Sequence, residues 1–340
     1  MVPIYYIFFK KQNKEIRCRK NLVIFRFKSQ FLKKYHVQKY TTENYDEWNE
    51  FVAKAKNATF LFHRDFMEYH QDRFEDYSLL LFDEAQKLRA IFPANRVGTV
   101  LHSHQGLTYG GLVFETNHNP IFTPKMVDSL LLFLKKESFT EVKIKIIPTI
   151  YNKSNTQEFD CCLHEIGAEL LNREMNLIID LRNVWKLSKS KFKHFKKAEA
   201  KLEMIAEDDF SLFWNDVLIP RLSEKYDANP VHSLNEIQQL KEKFNSNIIQ
   251  CSAYYEGEIV AGITIFKFDN VIKSQYGATT KAGEKLRALD FLFISLIQKF
   301  KNEGCFYFDM GTVSNNEGLL NQKIELGCDV FTNDFYCIKL

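Results

Sequence analysis

The sequence predicts an α/β (α+β) protein of two tandem domains, each a mixed, mainly antiparallel sheet flanked by helices. Three observations carry that reading. The chain has 340 residues, more than one core usually spans and enough for two domains of ~150 residues. It is 45% hydrophobic, 26% charged and 14% aromatic, a globular composition that excludes a disordered chain. An order of helix, short strands, helix and closing strand also occurs once in each half.

No apolar run approaches the ~18–20 residues of a membrane span. Seven Cys without a C-x-x-C pair, two of them adjacent at Cys161 and Cys162, argue against a disulfide scaffold or zinc ribbon and fit a reducing cytoplasm. Charge is uneven along the chain. Residues 1–34 hold ten basic side chains against Glu15 alone, so the remainder carries 36 basic and 42 acidic groups. Such a body lacks the basic face of a nucleic-acid binder, and no specific DNA binding is expected. The leader, with its apolar run Val2–Phe9 ahead of the charges, reads as a basic, poorly ordered extension. Membrane association is expected only through it.

The body then divides at residues 35–160 and 161–340, near the polar stretch Asn152–Gln157. In the first part, Tyr45–Lys56 has helical spacing (Trp48, Phe51, Val52, Ala55). Tyr77–Phe82 and Leu88–Phe92 are β-rich runs around an Asp83-Glu84-Ala85-Gln86 turn, and Val97–Ser103 reads as a third strand. Pro124–Lys136 is a periodic helix and Val142–Ile147 a closing strand. In the second part, Met175–Asp180 is a strand and Ser188–Leu202 a helix with Phe192, Phe195 and Leu202 near one face. Asp208–Lys225 and Leu234–Phe244 are helices, the latter capped by Ser233. Ile248–Tyr255, Glu258–Lys267 and Val271–Thr279 form a meander turning at Glu256-Gly257 and Asp269-Asn270. A long helix from about Lys285 to Asn302 ends at Gly304, and strand Cys305–Met310, helix Glu317–Leu326 and strand Phe331–Ile338 close the chain.

Several residues in this frame bear chemistry. Tyr276 lies on a strand alternating Val271, Lys273, Gln275, Gly277 against Ile272, Ser274, Tyr276; its phenol is an acid or anchor in a cleft, or an aromatic packed on the sheet. Asp309 ends an apolar strand, where α/β ligands collect, and either orients a nucleophile or caps the next helix. His102 and His104 alternate on one strand after His63 and His70. No carboxylate motif accompanies them, so no metal is expected, and His104 is a substrate contact or a surface residue. Arg64 and Arg96 suit an anion, and Tyr109 with Gly110 allows close backbone approach. The lysines at 186, 189, 191, 193, 196, 197 and 201 read as a solvated helix face, with RNA contact the alternative.

The order of elements, with Leu107-Thr108-Tyr109-Gly110-Gly111, Pro230-Val231-His232-Ser233, Ser274-Gln275-Tyr276-Gly277-Ala278-Thr279, Ala288-Leu289-Asp290, Phe308-Asp309-Met310-Gly311 and Gln322-Lys323-Ile324-Glu325-Leu326-Gly327, resembles the GNAT acyltransferase superfamily. The doubled form resembles its FemAB-like branch, and the second half a BioF2-like acetyltransferase domain. The resemblance implies two GNAT-like domains and acyl transfer from acetyl-CoA or another acyl-CoA to an amine or hydroxyl of a small acceptor, a sugar or cell-envelope precursor. It implies a splay near Tyr276–Thr279, a donor site of Gly277, Ala278, Thr279, Gly283, Lys285 and Arg287, and catalytic Asp309, Tyr276 and Lys323. Only Lys323 and Gly327 match the F-K-x-x-F-G ending of Fem enzymes, and the loop at 281–288 has one glycine where GNAT loops have more. Arg64, His104, Tyr109, Gly110, His232 and Gln275 are the implied acceptor contacts. Aminoacyl-tRNA as donor, in the Fem manner, and a non-catalytic GNAT-fold binding protein are the alternatives.

Overall fold

Strand pairing assembles the chain into two sheets in a computed structural model that describes residues 35–313 and 316–340; the basic leader lies outside the described residues. β1 (His36–Lys39) leads to α1 (Tyr45–Lys54), which buries Trp48 and Val52 one turn apart, and then to α2 (Arg64–Met67). β2 (Glu75–Asp76), β3 (Leu79–Phe82), β4 (Leu88–Phe92), β5 (Asn95–Val97), β6 (Val100–Ser103) and β7 (Val113–Phe114) follow, then α3 (Thr123–Lys136), β8 (Glu141–Lys145) and α4 (Glu158–Glu165). The expected strand Val97–Ser103 is instead the hairpin β5–β6, because Gly98 turns the chain at φ +59°.

β9 (Glu169–Asp180) opens the second half, followed by α5 (Lys189–Glu199) and β10 (Glu203–Glu207). A π-helical stretch, Phe213–Leu218, runs into α6 (Ile219–Tyr226), and α7 (Leu234–Lys243) starts at a Ser233–Glu236 capping box. The meander β11 (Ile248–Tyr255), β12 (Glu258–Lys267) and β13 (Val271–Thr279) has the expected bounds. The long helix expected from about Lys285 starts at Ala288 as α9 (Ala288–Asn302), and the expected loop before it holds a separate short helix, α8 (Lys281–Leu286). Thr280 accepts the Gly283 N–H and starts α8, and Arg287, at φ +60°, ends it by donating to the Glu284 and Gly283 carbonyls. β14 (Tyr307–Val313), α10 (Glu317–Glu325) and β15 (Asp329–Lys339) complete the chain.

A four-stranded sheet has the order β1-β3-β4-β7, and an eleven-stranded sheet the order β10-β11-β12-β13-β14-β9-β15-β8-β6-β5-β2. Among the described residues only the β13–β14 and β6–β8 ladders are parallel. The final strand, β15, pairs with β9 on one side and with β8 of the first half on the other, so one sheet runs through both halves. One buried cluster likewise draws on both: Trp48, Phe62 and Tyr109 meet Trp214, Phe244 and Phe266 on one face of the sheet. The opposite face of the second half packs Leu177, Ile179, Ile263 and Phe308 under α5 and α9.

Gly283 seats α8 against the sheet. A Cβ there would lie 2.2 Å from the Val260 carbonyl oxygen and 2.3 Å from Thr279 Oγ1, whereas one at Gly277 would meet only side-chain carbons at 3.7 Å or more. Backbone cannot yield as a side chain does, so Gly283→Ala should cost roughly 2–4 kcal/mol and Gly277→Ala less than about 1, measured by urea unfolding.

Candidate functional site

β13 and β14 pair only through Val271–Lys273 and Tyr307–Asp309, and past that point no ladder joins them. Two bulges account for the parting. In β13 the extra residue is Gln275, between Ser274 opposite Ile265 and Tyr276 opposite Thr264. In β14 the pairing with β9 slips between Asp309, opposite Ile178, and Thr312, opposite Asn176. Gly311 there has φ +79°, open to glycine without a Cβ penalty. Bulged strands bend and twist more strongly, so neighbours bulged at one level separate.

The β13 bulge also corrects the predicted alternation. Tyr276 and Lys273 were expected on opposite faces, but their partners Thr264 and Phe266 are two residues apart, so both share the face that Asp309 and Asn176 occupy. Gly277 turns instead toward Leu289 and Phe293.

Asp309, 1% exposed, is the hub of this face. Its carboxylate accepts from the Tyr151 hydroxyl at 2.5 Å, the Gly311 N–H at 2.7 Å and the Lys273 ammonium at 3.4 Å. Burial pushes its pKa up, but the Lys273 charge and the bonds from Tyr151, Gly311 and Asn176 outweigh burial and hold it below the usual carboxylate value. Asp309 is therefore ionised. The gross Lys273–Asp309 attraction at this distance is about 5 kcal/mol for an effective dielectric near 20. Desolvating two ions costs several kcal/mol each, so the added hydrogen bonds decide whether the charge is tolerable.

Lys323 approaches the same bulge from α10 and donates to the carbonyls of Met310 at 2.6 Å, Gly311 at 3.1 Å and Thr312 at 3.3 Å. Burial lowers its pKa to about 8. With its ammonium spent on backbone, Lys323 holds the bulge and acts on any reactant through it. On the other side of Lys273, the Tyr276 hydroxyl meets His232 Nδ1 at 2.5 Å. Burial raises Tyr276 to about 12 and lowers His232 to about 4, so the phenol donates to a neutral imidazole. The hydrogen then sits on Nε2, which has no partner among the described residues. Gln275 Oε1 and Asn176 Oδ1 are likewise buried and unpaired among the described residues.

The other predicted residues fall elsewhere. Ala278 and Thr279 are buried on β13, Thr279 bonded to the Val260 carbonyl, while Lys285 and Arg287 are exposed. Arg64 is 2% exposed and already paired with Glu68 at 2.9 Å and Asp76 at 3.0 Å, with its guanidinium over Tyr40. His104 stacks on His70, and burial lowers it to about 3. Gly110 bridges to Ile146 with no room for a side chain, its Cβ position 2.2 Å from the Ser103 carbonyl oxygen. Tyr109 donates to Thr59 and packs on Tyr151. A cleft of about 280 Å³, with Thr59, Phe60, Lys153 and Phe268 in its wall, reaches the Tyr151 ring, whose hydroxyl touches Asp309.

Lys273, Tyr151 and Asn176 were not singled out from sequence. Lys273 had a signal, as a lone cation in an otherwise uncharged strand. Tyr151 had none, because it reaches Asp309 across 158 residues. Among the described residues no group of three or more His, Cys, Asp or Glu is arranged to hold a metal.

No family model matches the chain, and no curated protein matches it by sequence. Solved structures do match. FemX superposes with TM-score 0.65 at 11% identity, over 90% of this chain and 97% of FemX. L-PGS from Bacillus licheniformis gives 0.58 at 15%, over 88% and 92%. A tandem GNAT protein from the clavulanic acid biosynthesis pathway gives 0.51 at 9%, over 90% and 98%. The chain thus has a FemX-like tandem GNAT fold.

A depressed carboxylate stabilises the fold above its unfolded pKa and loses that contribution as pH falls through its folded one. Urea midpoints from about pH 6 to about pH 2 should show a steep acid loss that Asp309→Asn flattens. Lys273→Met, which strands the carboxylate, should cost about 3–5 kcal/mol at neutral pH.

Proposed function

We propose that this protein is an acyltransferase, moving an acyl group from an activated donor to an amine or hydroxyl where β13 and β14 part. One observation carries the reading: among the described residues β13 from Ser274 onward has no strand on its β14 side, next to a buried cation, carboxylate and protonated phenol. A donor lying along that edge would place its carbonyl among backbone N–H groups, which stabilise the oxyanion of a tetrahedral state. Tyr276, protonated at neutral pH, suits proton delivery to the leaving group once its hydroxyl turns from His232 Nδ1. Asp309 is too weakly basic to strip an amine by itself; held ionised, it fixes the Lys273 ammonium and the Tyr151 hydroxyl beside it. Lys323 keeps the bulge, and with it the Asp309 carboxylate, in place.

The reading takes acetyl-CoA or another acyl-CoA as donor and a sugar or cell-envelope precursor as acceptor. Aminoacyl-tRNA is the second donor, favoured by the start of α8. There the Gly283 N–H, a natural phosphate donor, is committed to Thr280 Oγ1, and Gly283 itself is wedged on β12. The likeness to FemX supports the same alternative.

A melting-temperature series with millimolar acetyl-CoA separates the two, because a ligand bound only by the folded state raises the midpoint. A rise, with thiol release on adding an amino sugar, supports the first donor; no rise, with transfer from charged tRNA abolished by ribonuclease, supports the second. Binding without turnover of either donor would overturn acyl transfer. In the active case kcat/KM should fall as pH rises past about 8, where Lys323 loses its proton, and Lys323→Met should remove that limb.

A further inference from the structure

α5 was expected to carry Phe192, Phe195 and Leu202 near one face, but its buried stripe is Lys191, Phe195 and Ala198. Phe195 stacks on Phe291 of α9, and Lys191 is neutralised by Asp290 at 2.7 Å. That packing turns Lys189, Phe192, Lys193, Lys196 and Lys197 outward, with Phe192 47% exposed. Just before the helix Val184 is 90% exposed, alongside exposed Arg182 and Lys186. Residues 186–201 hold seven lysines against Glu199 alone. Acidic neighbours offset part of this, since Lys186 pairs with Asp329 at 3.0 Å and Lys196 with Glu199 at 2.7 Å. Lys189, Lys193 and Lys197 form no ion pair among the described residues.

We propose that the outer face of α5, with Val184 before it, docks on an anionic lipid surface. Lysines interleaved with an exposed Phe and an exposed Val match a bilayer interface, where cations meet headgroups and the apolar side chains leave water. Bare charge attraction would need neither apolar residue. RNA is the weaker match, because base stacking uses flat rings and the face offers one ring and an aliphatic side chain. Among the described residues no helix is long and apolar enough to cross a membrane. The proposal is independent of the acyl-transfer reading.

The test is co-sedimentation of the full chain with phosphatidylcholine vesicles, with and without about one third phosphatidylglycerol. The full chain should bind the anionic vesicles alone, and less as salt rises. Lys189→Gln, Lys193→Gln and Lys197→Gln together should lower the partition roughly a hundredfold, at about fivefold per lysine. Phe192→Ser should lower it about fivefold further. These side chains are exposed, and unchanged circular dichroism confirms that the variants fold. Unaltered partition in the triple variant would place lipid binding elsewhere, in the basic leader for instance, and overturn the proposal. So would absence of vesicle binding, including the case where a tRNA is retained through the same three lysines.

Discussion

A carboxylate with 1% exposure must be held charged, and much of the molecule serves that requirement. Asp309 sits at the last rung shared by β13 and β14, and its partners come from different parts of the chain. Lys273 is its cross-strand neighbour, Gly311 the bulge beyond it, Asn176 a residue of β9, and Tyr151 a residue of the first half. The ion pair alone does not offset the desolvation of two charges; the donated hydrogen bonds make up the difference. Parting of the strands and charging of the carboxylate are one construction, because the Gly311 bulge that separates β14 from β13 also supplies an N–H to Asp309.

The same hub explains why the halves share a sheet and a core. Tyr151 reaches Asp309 only if the first half lies against the second, and the aromatic cluster of Trp48, Phe62, Tyr109, Trp214 and Phe244 fixes that placement. Tyr109 then packs on Tyr151, so the hydroxyl is aimed by side chains of the first half at a carboxylate of the second. Lys323 closes the arrangement from α10 by binding three successive carbonyls of the bulge. A lysine of lowered pKa in that position ties backbone geometry to the proton concentration of the medium.

Sequence periodicity located the second-half meander to the residue, because alternation and turn signals are local. It misplaced the face of Tyr276, since one bulged residue inverts every side chain after it and bulges leave no periodic mark. It read α8 as loop and started α9 too early, because the break is a left-handed Arg287, a conformation that residue type does not announce. It put Phe192 on the face of Phe195, counting hydrophobicity where burial had instead chosen Lys191 and given it a carboxylate partner.

The sequence by itself determined the fold class, the meander and the strand that carries Asp309, all consequences of spacing between near neighbours. Tertiary structure decided which donors surround that carboxylate, that Arg64 is consumed by Glu68 and Asp76, and that Gly283 seats a helix on β12. The physical reason is range: periodicity reports a residue's own element, whereas the charge state of a buried group depends on atoms brought to it from anywhere in the chain.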